Sequence, residues 1–409
     1  MNLETCIKLD RRDELADLKN RFIIPEDVIY LDGNSLGPLL AIVKERVNDT
    51  VNREWGTDLI TSWNKNDWIN LPVTVGEKIA KLIGAAPGQV LCADSVSVNL
   101  FKVLAAALTL RPERNVVLSS DDNFPTDLYM AQGLTKLRGN DYELRVVDPE
   151  EVLAQLSDSV AVLMLTEVNF KSGKRWDMKA VNTAAHAAGV LVIWDLSHSI
   201  GAVPVELDHC MTDFAVGCGY KYLNGGPGAP AFVYVAERHQ DVQQPLSGWM
   251  GHVRPFDFRQ DYEPADGIRR FSSGTPGIIG MSALDAAMNI WEEIDVVSVQ
   301  QKSESLATVI RERLRHEAAF SNLELFGPGP GPEGGSQISM RHPNAYGIVQ
   351  AMIERGVIGD FRAPNIVRFG LCPLFLSHVD VYNAMNRMAE VIKSKAYEDP
   401  RFSSRAFVT

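Results

Sequence analysis

Cysteine is scarce in this sequence, and its positions do not suggest pairing. The 409 residues contain five cysteines and eight histidines. The cysteines are widely spread without a CxxC pair, and the histidines do not fall at the spacings of metal ligands. A disulfide framework and a structural zinc site are therefore disfavoured. No metal is expected, and a reducing compartment fits this cysteine usage.

Long apolar runs and an excess of positive charge are also missing. No stretch of 18 apolar residues occurs, and residues 1–22 are charged instead of forming an apolar signal core. We therefore expect a cytoplasmic protein with no membrane partner. Forty Lys and Arg against 52 Asp and Glu give a net charge of -12. That balance disfavours nucleic acid as a partner, because the phosphate backbone attracts a basic face.

What the sequence does contain, over residues 85–235, is an alternation of short apolar runs with helical segments. The runs VVLSS, VAVLMLTEV, GVLVIWD and DFAVGC are separated by segments such as NLFKVLAAALTL and DMKAVNTAAHAAG. Apolar runs without polar alternation are typical of strands buried on both faces. The pattern predicts an α/β domain with a mostly parallel sheet flanked by helices.

The length and a change of pattern predict a second domain. The chain is longer than one hydrophobic core usually fills. After about residue 280, long helical stretches flank short strands such as SQISM and IVRFGL. We predict a large domain at 51–270 and a smaller C-terminal α+β domain at 271–409. Residues 1–50 are predicted to form a segment packed on the small domain or at a dimer interface.

A turn between a predicted strand and a predicted helix is a candidate phosphate site. Residues 94–98 follow the run QVLC and open the helix NLFKVLAAALTL. Free N–H groups and the positive end of the helix dipole suit a phosphate, and Ser95 and Ser97 can add hydroxyl donors. Plain N-capping by serine explains the same residues equally well.

Asp195 and His198 follow another predicted strand, VLVIW. Ligands of parallel sheets bind beyond the carboxyl ends of the strands. A carboxylate there can pair with a protonated ring nitrogen, and His198 can stack on or hydrogen-bond the same ligand. The alternatives are a helix N-cap for Asp195 and an ordinary loop histidine for His198.

Lys221 lies in GCGYKYLNGGPGAP, between a strand end of small residues and a glycine-rich loop. A partly desolvated lysine has a lowered pKa and forms Schiff bases. An isolated lysine would normally be a surface residue. The cofactor we predict is pyridoxal 5'-phosphate (PLP). The turn would bind its phosphate, the carboxylate its ring nitrogen, and the lysine its aldehyde.

Beyond these handles, the chain resembles the fold-type-I PLP enzymes of the aminotransferase class V superfamily, and within it the kynureninases. The resemblance rests on YLDGNSLGP, NFPTDLY, WDLSHSIGAVPV, YKYLNGGPGAPAF, LSGWMGH, SSGTPGI and GVIGDFRAPNIVRFGLCPLF. It implies a seven-stranded sheet in the large, PLP-binding domain and a homodimer with shared active sites. The implied reaction hydrolyses L-kynurenine, or its 3-hydroxy form, to anthranilate or 3-hydroxyanthranilate and L-alanine. That reaction belongs to tryptophan catabolism and NAD synthesis.

The resemblance also implies a role for each matching residue. Lys221 and Tyr220 are expected to be catalytic, and Arg368, Trp63 and Ser35 to bind substrate. The residues expected to bind the cofactor are Ser95, Val96, Ser97, Phe124, Asp127, Thr166, Asp195, His198, Tyr220 and Lys221, with Trp249 and Thr275 from the neighbouring subunit. Val96 can offer only its backbone N–H. On their own, Phe124 and Trp249 are equally consistent with core aromatics, Thr166 with a strand-end residue and Arg368 with an ion-pair partner.

Other functions remain as alternatives. A cysteine desulfurase or selenocysteine lyase of the same fold needs a nucleophilic cysteine shortly before the carboxylate-binding arginine. Residues 341–367 contain no cysteine, and Cys372 comes after Arg368. Those families also usually have His where this chain has Tyr220. A class V aminotransferase lacks its own motifs here, and a non-enzymatic binding protein would not need Lys221.

Overall fold

The computed structural model describes residues 1–403 of the chain. Its α-helices are α1 (Leu3–Asp10), α2 (Ala41–Asp49), α3 (Ser62–Lys65), α4 (Leu71–Leu82), α5 (Val96–Leu110), α6 (Pro125–Arg138), α7 (Met178–Ala187), α8 (Ile278–Met288), α9 (Val296–His316), α10 (Ala345–Ile353) and α11 (His378–Lys393). Its strands are β1 (Phe22–Ile23), β2 (Ile29–Tyr30), β3 (Leu39–Leu40), β4 (Val90–Cys92), β5 (Val116–Ser120), β6 (Glu143–Val147), β7 (Val160–Thr166), β8 (Leu191–Asp195), β9 (Phe214–Gly217), β10 (Phe232–Val235), β11 (Glu324–Leu325), β12 (Gln337–Arg341), β13 (Val357–Ile358), β14 (Asp360–Arg362) and β15 (Ile366–Gly370).

A seven-stranded sheet with the order β4-β10-β9-β8-β7-β5-β6 forms the centre of the fold. The pairs β5–β6, β5–β7, β7–β8 and β8–β9 are parallel. Only β10 runs antiparallel to its two neighbours, β4 and β9. The predicted α/β fold with a mostly parallel sheet is therefore confirmed.

Apolar residues cover both faces of this sheet, which explains the unbroken apolar runs in the sequence. In β8, Val192 and Trp194 join one hydrophobic core, whereas Leu191 and Ile193 join the other, which contains the apolar face of α5. Successive side chains of a strand point to opposite faces, so a strand between two cores has no polar face.

The C-terminal part contains a second, antiparallel sheet with the order β11-β12-β15-β14. Helices α9 and α10 pack against it, and α11 packs on both. The expected smaller α+β unit is thus present, while the boundaries 1–50, 51–270 and 271–409 stay a prediction.

The N-terminal segment packs against this C-terminal part. Strand β2 pairs in parallel with β13, and α1 packs on α11. The Asp10 carboxylate accepts hydrogen bonds from the backbone N–H groups of His378 and Val379 at 2.7 and 3.0 Å. Among the described residues, no helix combines the length and the apolar character needed to cross a membrane.

Candidate active site

A cavity of about 240 Å³ opens at the carboxyl ends of β7 and β8. Ten of the predicted site residues line it, namely Ser95, Val96, Ser97, Phe124, Asp127, Thr166, Asp195, His198, Tyr220 and Lys221. The register of the sheet explains part of this convergence. Thr166, the last residue of β7, is paired with Asp195, the last residue of β8, so both side chains reach the same edge.

The loop that carries Lys221 folds back on itself. Gly225 donates its N–H to the Gly219 carbonyl at 2.9 Å. A Cβ atom at residue 225 would lie 2.7 Å from the same oxygen, which is closer than side chains tolerate. Glycine at this position therefore allows the close turn that holds Lys221 at the cavity wall.

The Lys221 amine lies within hydrogen-bonding distance of an imidazole. Its Nζ is 3.0 Å from His198 Nε2 and 5.9 Å from the centroid of the Phe124 ring. Burial, and then the positive charge of Lys221, hold the pKa of His198 well below its usual value. The imidazole is therefore neutral at pH 7. Its Nδ1 is buried and has no hydrogen-bond partner among the described residues.

Asp195 is buried and is held by a local turn. Its Oδ1 accepts hydrogen bonds from the Ser197 N–H at 2.9 Å and from the Ser197 hydroxyl at 2.6 Å. Its Oδ2 accepts none from the described residues. Residues 196–203 form turns and no helix, so the alternative of a helix N-cap does not apply. The free oxygen leaves Asp195 able to pair with a ligand.

A second carboxylate, Asp127, shares the cavity. Burial raises the pKa of both carboxyl groups, and the charge of Asp195 raises the pKa of Asp127 further. Asp127 accepts one long hydrogen bond, 3.4 Å from Thr166 Oγ1, and its buried Oδ1 has no partner. Asp195 has the two bonds from Ser197 that favour its charged form. Asp127 is therefore the more easily protonated of the two carboxyl groups, and Asp195 is the better able to hold a negative charge.

The turn before α5 combines capping with free donors. Ser95 caps the helix through a bond of 3.4 Å from Val98 N–H to its hydroxyl, so the capping alternative applies to this residue. The first helical backbone bond runs from Asn99 N–H to the Ser95 carbonyl at 2.9 Å. The N–H groups of Val96 and Ser97 precede it and have no helical acceptor.

Two phenylalanines form one wall of the cavity. Phe124, at the start of α6, packs edge-on against Phe170 with ring centroids 5.1 Å apart. Phe124 is 38% exposed, so it is not a core aromatic. Phe170, Ser197 and Cys218 also line the cavity and were not predicted from the sequence. Their only signal was closeness to a strand end or to a predicted site residue.

Five predicted residues do not line this cavity within one chain. Thr275 lines a neighbouring cavity of about 420 Å³ that also contains Asp94. Trp249 is 36% exposed and packs on Phe256 and Phe258. Trp63 packs edge-on against Trp68, with ring centroids 6.0 Å apart. The other two, Ser35 and Arg368, belong to a buried ionic cluster.

Arg368 is the centre of that cluster and is almost completely buried. Its Nε and Nη2 bind Asp360, and Nη2 also donates to Ser35 Oγ at 2.8 Å. Nη1 donates to the Phe170 carbonyl at 2.5 Å. A guanidinium has five N–H groups. One N–H of Nη1 therefore remains, and the Phe170 bond links the cluster to the cavity wall.

The cluster also contains two acids, Asp360 and Asp32, that were not predicted from the sequence. Asp360 contacts Arg362 Nη2 at 2.7 Å in addition to Arg368. Asp32 is 8% exposed, and its Oδ1 has no hydrogen-bond partner. Burial and the nearby charge of Asp360 raise the pKa of Asp32 to about 7. Among residues 1–403, no group of His, Cys, Asp or Glu side chains is arranged to hold a metal ion.

Comparison with known proteins identifies the family. The chain is 49% identical to a kynureninase of Deinococcus radiodurans over 398 residues, which covers 96% of this chain and 97% of the relative. It is 45% identical to a kynureninase of Burkholderia pseudomallei over 412 residues, covering 99% of each. The chain belongs to the kynureninase family. A family profile described as the kynureninase C-terminal domain matches residues 299–388.

The fold of this kynureninase-family chain is shared with solved structures of other enzymes. The apo structure of a cysteine desulfurase from Thermococcus onnurineus superposes with a TM-score of 0.76 at 18% identity. The match covers 92% of this chain and 98% of that one. At this identity the likeness establishes the fold alone. The resemblance to fold type I and to the kynureninases is thus confirmed, and the individual residue roles stay predictions.

The ionic cluster generates a pH-dependent prediction. An Asp32 pKa raised to about 7 means that ionisation costs the folded state more than the unfolded chain. The stabilising contribution of the protonated form is complete below the ordinary Asp pKa and is lost as pH rises through about 7. We expect Asp32→Asn to raise the melting temperature relative to the wild type, by an amount that grows between pH 5 and pH 8.

Thermal unfolding across this pH range measures the effect. Asp17→Asn, at an exposed aspartate, is the matched control and should show no such trend. A difference between Asp32→Asn and the wild type that is the same at pH 5 and pH 8 would contradict the raised pKa.

Proposed function

We propose that this chain hydrolyses L-kynurenine, and its 3-hydroxy form, to anthranilate or 3-hydroxyanthranilate and L-alanine. The reaction would use PLP and serve tryptophan catabolism and NAD synthesis. The observation that carries the proposal is that a chain related to kynureninases over nearly its full length has Lys221, His198 and Asp195 around one cavity. A cytoplasmic location, suggested by five free cysteines, is part of the proposal.

The cavity fits PLP by the chemistry of its donors. The Asp195 carboxylate would face the pyridinium nitrogen, the Lys221 amine would hold the aldehyde, and the N–H groups of Val96 and Ser97 would hold the phosphate. The side chains of Asp127 and His198 line the same cavity and would border the cofactor's ring. PLP, when bound, supplies an electron sink for the charge that develops at the substrate's α-carbon.

Proton transfer falls to residues of the chain. Lys221, once its amine is free, is the base that takes the α-proton. The neutral His198 beside it adds no positive charge that would repel the protonated amine. Burial raises the pKa of Tyr220 above its usual value, so its hydroxyl holds a proton at neutral pH. We assign Tyr220 the role of donating that proton to Cβ when water has added to the Cγ carbonyl and the Cβ–Cγ bond of kynurenine breaks.

Recognition of the substrate's carboxylate is assigned to Arg368, with Ser35 beside it. Arg368 Nη1 has two N–H groups: one donates to the Phe170 carbonyl, and the other is free. A carboxylate that displaced this carbonyl would exchange a neutral acceptor for a charged one, which strengthens the hydrogen bond. Trp63 is proposed to contact the aromatic ring of the substrate.

A desulfurase or selenocysteine lyase is the second candidate, and the cysteines argue against it. Burial raises the pKa of Cys372, which is 4% exposed, so this thiol is a poor nucleophile. Cys218 lines the cavity but is 2% exposed. A binding protein without catalysis is disfavoured by the intact Lys221 and Asp195.

The first prediction of this proposal concerns the reaction itself. Purified protein loaded with PLP should convert L-kynurenine to fluorescent anthranilate and an equal amount of alanine. Lys221→Ala should lose the activity and the yellow, borohydride-sensitive absorbance, because it lacks the amine that holds the aldehyde. Yellow protein that releases no anthranilate but releases alanine from cysteine or selenocysteine would overturn the assignment in favour of the second candidate.

The second prediction concerns Arg368. Arg368→Gln should lower kcat/KM for kynurenine about tenfold to a hundredfold, because a hydrogen bond to a charged group contributes about 1.5–3 kcal/mol. The matched control is inhibition by the decarboxylated analogue of kynurenine, whose inhibition constant should not change. Equal weakening of both ligands would indicate a disturbed cavity and contradict the carboxylate role.

We also propose a homodimer whose active sites use residues of both chains. Trp249 and Thr275, which the family resemblance assigns to the neighbouring subunit, are outside the main cavity of their own chain. Trp249 lies in an exposed aromatic cluster with Phe256 and Phe258, which are 54% and 75% exposed. A second copy of the chain would cover this cluster and remove its apolar surface from water.

Complementation between inactive variants tests the shared site. Lys221→Ala and Thr275→Ala should each form weakly active or inactive homodimers. If Lys221 of one subunit works with Thr275 of the other, half the sites in a mixed dimer are intact. Random exchange of equal amounts should then restore about a quarter of the wild-type activity, by the mass action of subunit mixing. No recovery in dimers shown by mass measurement to have exchanged would contradict shared sites.

A further inference from the structure

A carboxylate lies next to the turn that is proposed to bind phosphate. Asp94 directly precedes Ser95 and lines both the main cavity and the neighbouring one. Its backbone is in the left-handed region, with φ of 51°. Its side chain is 27% exposed. Two negative groups in adjoining positions repel each other, which makes an acid at this turn costly for phosphate binding.

The ammonium of Lys102 compensates the negative charge of Asp94. Lys102 lies on α5, and its side chain is completely buried. Its Nζ forms an ion pair with Asp94 Oδ2 and donates a hydrogen bond to the Phe271 carbonyl at 2.6 Å. A fully buried lysine is unusual and needs a charged partner. Asp94 is its ion-pair partner here.

The second bond of Lys102 reaches another element of the proposed site. Phe271 directly precedes the segment Ser272–Thr275, which lines the neighbouring cavity together with Asp94. Thr275, at the end of this segment, is the residue proposed to reach the phosphate of the other subunit. One buried ammonium therefore ties the turn of residues 94–97 to the base of the arm formed by residues 272–275.

We propose that Lys102 is a positioning residue for the cofactor's phosphate. It neutralises and fixes the Asp94 carboxylate, so that the donors of residues 95–97 meet an anion without an opposing charge. The inference rests on the proposed PLP function. It adds a residue that does not touch the cofactor and acts on phosphate binding through the charge of Asp94.

Comparing the binding of PLP and pyridoxal measures the contribution of the phosphate group alone. PLP and pyridoxal, which lacks the phosphate, are titrated against the wild type, Lys102→Met and the double variant Lys102→Met/Asp94→Asn. The readout is the visible absorbance gained on binding the lysine amine, which needs no turnover. Methionine keeps the length and apolar stem of lysine without its charge.

We expect Lys102→Met to weaken PLP binding about tenfold or more and pyridoxal binding less than about threefold. Only PLP carries a phosphate that the uncompensated Asp94 carboxylate would repel. The double variant removes that carboxylate. Its ratio of pyridoxal to PLP dissociation constants should return to within about threefold of the wild-type ratio. Equal weakening of both aldehydes by Lys102→Met, or no recovery in the double variant, would overturn the proposal.

If Lys102→Met does not fold, the single variant Asp94→Asn tests whether the Asp94 carboxylate opposes phosphate binding. With Lys102 intact, removing the carboxylate should leave the affinity for PLP relative to pyridoxal at least as high as in the wild type, because a general disturbance of the cavity weakens both aldehydes. A selective loss of PLP relative to pyridoxal would show that the carboxylate assists binding, which contradicts the proposal. A wild-type protein that gains no absorbance with either aldehyde would instead overturn the PLP function itself.

Discussion

The in-register parallel pairing of β7 and β8 is the constraint on which the rest of the site depends. It places Thr166 beside Asp195 at one edge of the sheet, where the loop of Lys221 and the turn before α5 also end. This arrangement is possible because both strands are enclosed by apolar cores and have no polar face to turn towards water. Polar side chains can therefore appear only where the strands stop.

Burial and hydrogen bonding then give two chemically identical carboxyl groups different tendencies to ionise. Asp127 and Asp195 are both buried carboxyl groups, yet only Asp195 receives two hydrogen bonds from Ser197. The difference makes Asp195 the better holder of a negative charge and Asp127 the more easily protonated acid. The same burial keeps His198 neutral beside the Lys221 amine. Proximity of ionisable groups and exclusion of water together set the chemistry that this cavity can perform.

Charges at the cavity wall and behind it are organised by the same rule. Lys102 and Asp94 form one compensated pair, and Arg368 and Asp360 form another. Each pair also binds a backbone carbonyl of a different segment, Phe271 in the first case and Phe170 in the second. Buried ion pairs contribute little net stability, but they hold segments in defined positions because an unpaired buried charge is costly. Here the segments are the walls of the proposed active site.

The sequence by itself determined the sheet and the residues around the cavity. Strand patterns depend on local burial, and Asp195, His198 and Lys221 lie next to strand ends that the apolar runs reveal. The motifs NFPTDLY and YKYLNGGPGAPAF then indicated the kynureninase family, which the relatives confirm. Phe170, Asp360 and Asp32 had no comparable signal. Their roles depend on contacts between segments far apart in the chain, such as the bond from Arg368 to the Phe170 carbonyl.

Only the tertiary structure decided which of several acids near an arginine would pair with it, and which lysine would be buried. Lys102 reads as an ordinary helix residue in the sequence, and its partners are eight and 169 positions away. The physical reason is that charge compensation in a protein interior is settled by distance and access to water. Both are properties of the packed chain and are not recorded in the local pattern of residues.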